Sequence, residues 1–470
     1  MPKSKAYEQA KKNLARNPQS AHDQFAPAVR AKIGPFCDDY RAFLNVAKTE
    51  RLAVNEIERQ ARAAGFVDFG SAAGDKLLLN YRGKCIGLAR VGKASVEDGV
   101  NLVVSHIDSP RLDLKQNPLY EDLNLALLKT HYYGGIRKHQ WVARPLAIYG
   151  VVVRKDGSRV EVAIGEGADD PCFTVLDLLP HLAAKAQAEK KMADAIPGEK
   201  LNVLIGGYPL GNKDDGKDRI KLNVLRLLHE KYGLVEDDFV SAELEVVPAG
   251  PARNVGLDGA FVGAYGQDDR VCAYTSLRAL LALDKQPKRT AVSVFLDKEE
   301  IGSSGSTSAE GRFLLDFIGE LLAREGKTSE RAIRRALSRT KVLSADVNAA
   351  IDPDWQDVHD KKNAALVGHG ICLTKYTGAR GKVAASDADA EFVGEIRKLL
   401  SDHKVPWQTG ELGKVDEGGG GTVALFFARH GAAVLDAGAA LLSMHSPFEI
   451  AHKDDVYATY LAYLAFLAKA

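Results

Sequence analysis

The chain reads as an α/β protein of more than one domain, and three features of its sequence predict this. Short apolar runs rich in β-branched residues, such as Asn101–Ser105, Ala291–Leu296 and Val342–Ala345, alternate with helix-patterned stretches. A length of 470 residues exceeds one ordinary hydrophobic core and points to two or three domains. Between about Leu112 and Pro248 the texture shifts to short β runs and polar loops, as if a second domain were inserted into the first.

In chain order, residues 1–64 carry a helical pattern, with Thr49 placed to cap a helix that Gly65 stops. Strand-like runs follow at Lys76–Tyr81, Cys85–Val91 and Asn101–Ser105. The middle section has β runs at Leu146–Val153 and Val160–Ile164 and a helix expected over Phe173–Lys191. It then has a polar, mobile-looking loop at Gly211–Asp218 and a hinge at Pro248-Ala-Gly-Pro251. Alternation resumes with a helix Asp269–Ala282, strand Ala291–Leu296, helix Gly311–Arg324 and strand Val342–Ala345. A helix Asp389–Asp402, a glycine-rich apolar stretch Thr422–Leu442 and a helix Asp455–Ala468 close the chain.

Composition excludes several classes of function. Apolar content of 46% and charged content of 27% are those of a soluble globular protein. A net charge of +1 gives no general attraction to nucleic acid or to an anionic membrane. Cys37, Cys85, Cys172, Cys272 and Cys372 are scattered without CxxC spacing, which fits a reduced protein rather than a disulfide framework. The N-terminus lacks a signal-peptide core, and no run approaches the ~20 apolar residues of a spanning helix. A cytoplasmic setting is expected.

The chemistry gathers where strands end. Val292–Leu296 runs out into Asp297-Lys-Glu-Glu-Ile-Gly302, so Glu299 and Glu300 sit at a strand end opening into a loop. Adjacent carboxylates repel unless a cation or a shared proton holds them. One could bind a metal while the other handles protons. His106-Ile-Asp108 ends another strand, where positions i and i+2 project together and a carboxylate can orient a metal-binding imidazole. Asp268-Asp269 opens a helix, and either acid could be a ligand or a cap. Asp346 and His445 each follow an apolar run. Singly, each motif reads as a polar strand end. Together they deliver two imidazoles and several carboxylates to the edge where α/β sheets bind ligands, which is the donor set of a two-metal hydrolytic site. There is no G-x-S-x-G elbow for a serine triad, and Asp416-Glu-Gly-Gly-Gly-Gly-Thr422 lacks the ending of a phosphate-binding P-loop. That glycine run reads as a flexible loop or as backbone lining a substrate pocket.

The succession His106-Ile-Asp-Ser-Pro-Arg-Leu-Asp113, Gln267-Asp-Asp269, Lys298-Glu-Glu-Ile-Gly-Ser303, Ser344-Ala-Asp346 and Met444-His-Ser446 resembles the aspartyl aminopeptidase family. Those are two-metal exopeptidases of the tetrahedral-aminopeptidase type, and this chain looks closer to a bacterial branch. The resemblance covers essentially the whole chain. It implies a three-layer α/β catalytic domain with a mixed central sheet (residues 1–111 and 249–470), interrupted by a mainly-β dimerisation domain (112–248). It also implies dimers that assemble into a dodecamer.

Carried over by motif, the resemblance implies that Asp268 bridges two metals. His106 and Asp346 would complete one site, Glu300 and His445 the other. Glu299 would be the general base and acid, and Asp108 would orient the His106 imidazole. His181 would reach a neighbouring subunit's site, and Lys375 would contact substrate. Zinc is the expected ion, with cobalt or manganese also compatible. The expected activity is hydrolysis of the N-terminal bond of peptides with a free N-terminus. A two-metal carboxypeptidase or deacylase, and a catalytically silent assembly or cargo-binding protein, are the alternatives. Two departures bear on specificity. A motif acid is replaced by Ala143 in Trp141-Val-Ala-Arg144, and Gly418–Gly421 replaces a Ser-Pro-Cys-Gly-like loop. The resemblance therefore carries peptidase chemistry but not a preference for acidic residues.

Overall fold

A computed structural model describes residues 4–70, 74–167 and 169–470. Its largest sheet has nine strands, in the order Val67–Asp68, Lys76–Tyr81, Cys85–Arg90, Ala291–Leu296, Asn101–His106, Lys341–Ser344, Ala433–Gly438, Ile371–Thr374 and Trp407–Thr409. The sheet is mixed. Ala291–Leu296, Asn101–His106, Lys341–Ser344 and Ala433–Gly438 run parallel at its centre, while Cys85–Arg90 and Ile371–Thr374 pair antiparallel on either side.

The central strands read as unbroken apolar runs because helices cover both faces. Every residue of Asn101–His106 and Ala291–Leu296 is buried. Alternate side chains go to opposite cores, as the pleat demands. Val103, Phe295 and Leu343 pack with helices Pro27–Val46, Gln267–Leu281 and Lys453–Lys469. Leu102, Val104, Val294 and Val342 pack with helices Phe313–Ala323 and Glu330–Ser338. Because the four central strands are parallel, their carboxyl ends lie along one edge, and that edge carries His106, Asp297 and Ala345-Asp346.

Residues 111–248 form a separate seven-stranded antiparallel sheet, ordered Arg159–Ile164, Leu146–Val153, Ala242–Pro248, Arg111–Asp122, Leu125–Tyr133, Val203–Gly206 and Thr174–Val175. It has its own core, including Leu112, Leu128, Trp141, Val203 and Leu244, onto which Ile220 and Val224 of helix Arg219–Tyr232 pack. A third, five-stranded sheet contains Phe261–Ala264, Ala440–Leu442 and Glu449–His452.

Several sequence-derived elements are reproduced within a residue or two. Thr49 caps helix Glu50–Ala63, its side chain accepting the Leu52 N–H. The stretch Thr422–Leu442 resolves into helix Ala424–Ala428 and strands Ala433–Gly438 and Ala440–Leu442. The helix expected over Phe173–Lys191 is not one element. Thr174–Val175 is a short strand paired to Val203–Leu204, and a helix begins only at Pro180, continuing as a wider turn through Ala188. Proline drives the residue before it, here Leu179, into extended backbone, and its own fixed φ suits the first helical position.

Candidate metal centre

The turn after Ala291–Leu296 shows how local backbone aims two neighbouring acids. Lys298 takes a left-handed conformation, with φ of 69°, and starts a single 3-10 turn, Glu299–Ile301, that Gly302 ends at φ of 85°. Out of the strand's alternation, both carboxylates can serve one cleft. Asp108 fixes this turn. Its Oδ1 accepts the Glu299 N–H and its Oδ2 the Glu300 N–H, each at 3.2 Å. Asp108 is fully buried, and His106 Nδ1 lies 3.3 Å from its Oδ1 and 3.1 Å from its backbone carbonyl.

Asp268 lies between two imidazoles. His106 Nε2 faces its Oδ1 at 3.0 Å, and His445 Nε2 faces its Oδ2 at 3.1 Å. His445 Nε2 is also 3.4 Å from Glu300 Oε1. Three groups have ligand atoms within 4.8 Å of one another: His106, Asp268 and Asp346; Asp268, Glu300 and His445; and His106, Glu299 and Glu300. Six of the sequence candidates thus lie together in these groups, and Asp108 lies directly behind them. Asp269, the alternative to Asp268, is fully buried and belongs to none of the groups.

His181 and Lys375 lie outside these groups. His181 is exposed on the four-residue helix Pro180–Ala183. Lys375 Nζ binds Asp387 at 2.6 Å and sits over the Tyr376 ring.

The electrostatics of the cluster call for added positive charge. Burial raises the Glu300 carboxyl well above the usual range, and the negative Asp268 beside it adds to the shift. Asp346 is raised in the same direction, also chiefly by burial. Burial opposes charging of His106, yet the carboxylates of Asp108 and Asp268 hold its imidazolium stable well above its ordinary range. Glu299 is pushed up to about 7 chiefly by burial, with His106 opposing the shift and the negative Asp108 and Asp268 adding to it. Four carboxylates share this space with two imidazoles, and Glu300 Oε1 is buried without a hydrogen-bond donor. Divalent cations are what such a nitrogen and oxygen set holds.

Residues that sequence reasoning passed over hold the set in place. Glu449 Oε2 accepts the N–H groups of Gln267 and Asp268 at 2.6 and 3.1 Å, and its Oε1 accepts that of His445 at 2.8 Å. His445 Nδ1 lies 3.0 Å from the Gly135 carbonyl, and the Tyr133 hydroxyl donates to Asp108 Oδ2 at 2.7 Å. An acid four residues after His445 was the only local signal for Glu449. Tyr133 and Gly135 had none.

A cavity of about 340 Å³ opens beside Asp346, bordered by Asn348, Tyr376, Arg380, Glu411 and the backbone of Gly418–Gly420. Glycine is required in that loop. A Cβ on Gly418 would lie 2.2 Å from the Leu412 carbonyl oxygen, and Gly419 has φ of 109°. The glycine run therefore lines a pocket.

An α/β sheet presenting a partly buried cluster of histidines and carboxylates at its strand ends is the arrangement of a metallohydrolase. The family model for aminopeptidase I zinc metalloproteases (M18) matches residues 43–467, and the chain belongs to that family. It is 46% identical over 463 residues to a probable M18 family aminopeptidase 1 of Clostridium acetobutylicum, covering 97% of this chain and 99% of that one. It is 49% identical over 445 residues to the corresponding protein of Thermotoga maritima, covering 94% and 97%. The crystal structure of an M18 family aminopeptidase from Thermotoga maritima superposes with a TM-score of 0.92 at 47% identity, covering 97% of this chain and all of that one. The protein is thus a zinc metallo-aminopeptidase by family, and neither alternative function is favoured.

Proposed function

We propose that this chain removes N-terminal residues from peptides at a two-metal centre shared across Asp268. The observation that carries this is the placement of one imidazole on each oxygen of Asp268, His106 on one side and His445 on the other. On this reading His106 and Asp346 hold one ion, Glu300 and His445 the second, and Asp268 both.

Zinc held by these residues would supply Lewis acidity to a water and to the scissile carbonyl. Glu299 takes the proton from the attacking water and returns it to the leaving amine. Asp108 keeps the His106 ring and the Glu299-Glu300 turn in register. The substrate's free α-amino group meets the acidic cluster, and its side chain enters the cavity beside Asp346.

We further assign residues 1–111 and 249–470 to a three-layer catalytic domain and 112–248 to an inserted dimerisation domain. The distinct sheet and core of the middle segment support this division. Self-association, through dimers to a dodecamer, is supported by apolar side chains left exposed on that segment, including Leu176, Leu179, Leu182 and Met192. In that assembly the exposed His181 is assigned to a neighbouring subunit's site. Lys375, next to the pocket residues Thr374 and Tyr376, is assigned to substrate contact. Five free cysteines, four of them buried, support a reducing, cytoplasmic setting, and no helix among the described residues is long and apolar enough to cross a membrane.

The test is metal analysis combined with turnover of aminoacyl amides carrying free or acetylated α-amines. Zinc bound in stoichiometric amount and cleavage of free-amine substrates alone are expected. Equal cleavage of the acetylated series would overturn the exopeptidase reading.

A further inference from the structure

We propose that the turn Tyr133-Gly134-Gly135 of the second sheet is a positioning element of the metal centre. In this role it holds Asp108 through the Tyr133 hydroxyl and His445 through the Gly135 carbonyl. The inference rests on the reading of His106, Asp268, Glu300, Asp346 and His445 as metal ligands.

The turn reaches both halves of the cluster. On one side the Tyr133 O–H donates to Asp108 Oδ2 at 2.7 Å, and the same carboxylate receives the Glu299 and Glu300 N–H groups. Asp108 also lies against His106, so a single hydroxyl from the second sheet steadies the carboxylate behind one imidazole and both glutamates. On the other side, His445 Nδ1 donates to the Gly135 carbonyl at 3.0 Å, which leaves Nε2 facing Asp268 and Glu300. Partners of this kind set the tautomer and the ring orientation of metal-binding histidines.

The residue types in the turn fit this role. Gly134 has φ of 74°, and a Cβ there would lie 3.3 Å from the Glu300 Cβ. A Cβ on Gly135 would lie 3.3 Å from His445 Nδ1. The main chain must therefore come right up to both ligands. The Tyr133 ring is gripped from behind by the Arg111 guanidinium, 3.9 Å from the ring centroid. Arg111 in turn pairs with Glu245 at 3.2 Å on the second sheet and with Glu50 at 3.5 Å on a helix flanking the first. The hydroxyl is anchored to both sheets at once, so a shift of one sheet against the other would be felt at the metal centre.

Two substitutions in the full-length protein test this, with zinc release to a chromogenic chelator and steady-state kinetics as readouts. Tyr133→Phe keeps the ring over Arg111 and removes only the donor to Asp108. Gly135→Ala leaves Tyr133 intact and crowds the His445 ring, at a φ that alanine can adopt. The expected result for each is zinc affinity lowered roughly 10–100-fold, with kcat falling while KM stays near the parental value. For Gly135→Ala one zinc equivalent should be released ahead of the other. Parental zinc affinity and kcat in both variants would overturn the proposal. If Tyr133→Phe fails to fold by circular dichroism, Gly135→Ala decides alone. A parent protein that binds no zinc would instead overturn the metal reading itself, and this proposal with it.

Discussion

Glu449 holds His445 by its backbone: Oε1 accepts the His445 N–H at 2.8 Å, while Oε2 accepts the N–H groups of Gln267 and Asp268. One buried carboxylate thus sets the spacing between two residues that are 177 positions apart in sequence (445 − 268). Both ends of the Asp268–His445 contact are positioned by it.

Glu449→Gln tests that role. A carboxamide has one oxygen, so its NH2 group must face a backbone N–H. Leaving a buried donor unpaired costs about 1–3 kcal/mol. Lower denaturant stability together with weaker zinc retention is expected. Parental values of both would show that the three backbone donors need no acceptor.

Glu299→Gln separates proton transfer from metal binding. The amide cannot accept the water's proton, and the other ligand candidates are untouched. Turnover should fall by about 10²–10⁴-fold or more, with zinc content unchanged by elemental analysis. Near-parental activity in a zinc-replete sample would remove Glu299 from the mechanism.

Asp268→Ala and His445→Ala should differ in stoichiometry. Asp268 faces both imidazoles, so its loss should weaken both zinc equivalents. His445 belongs to one metal group, so its loss should release one equivalent and retain the other. Equal losses in the two variants would contradict a shared Asp268.

Gly438→Ala probes the strand beside Asp346. A Cβ there would lie 2.1 Å from the Asp346 carbonyl oxygen, which is backbone and cannot rotate away. Overpacking of this kind costs about 1–3 kcal/mol. Reduced stability with impaired zinc binding at the His106–Asp346 side is expected. Unchanged zinc binding would mean that the strand shift does not reach the carboxylate.

Metal removal should lower stability as well as activity. Crowded carboxylates lose the cation that offsets their repulsion, and a ligand present at a hundred times its Kd adds about 2.7 kcal/mol to the folded state. Chelator-treated protein should unfold at a lower temperature and recover on adding zinc. A melting curve indifferent to zinc would argue against a structural contribution from the ions.

Strand and helix order was legible in the sequence because burial on both faces writes continuous apolar runs, as in Asn101–Ser105 and Ala291–Leu296. The same periodicity misread Phe173–Lys191, where Pro180 and pairing of Thr174–Val175 with a strand some thirty residues on overrode helical character. Residue types at strand ends and at one helix start named His106, the pair Asp268-Asp269, Glu299, Glu300, Asp346 and His445 as candidates. By itself, then, the sequence determined the elements, the change of texture at the middle segment and the chemical identity of the cluster. These follow from local pattern and side-chain chemistry. The motif resemblance had already singled out Asp268 over Asp269, but only the tertiary structure set one imidazole against each of its carboxylate oxygens. It alone decided, too, that Lys298 turns left-handed to aim two glutamates together, and that Tyr133, Gly135 and Glu449 stand behind them. Those relationships depend on backbone dihedrals and on contacts between distant segments, which no pattern along one stretch of chain records.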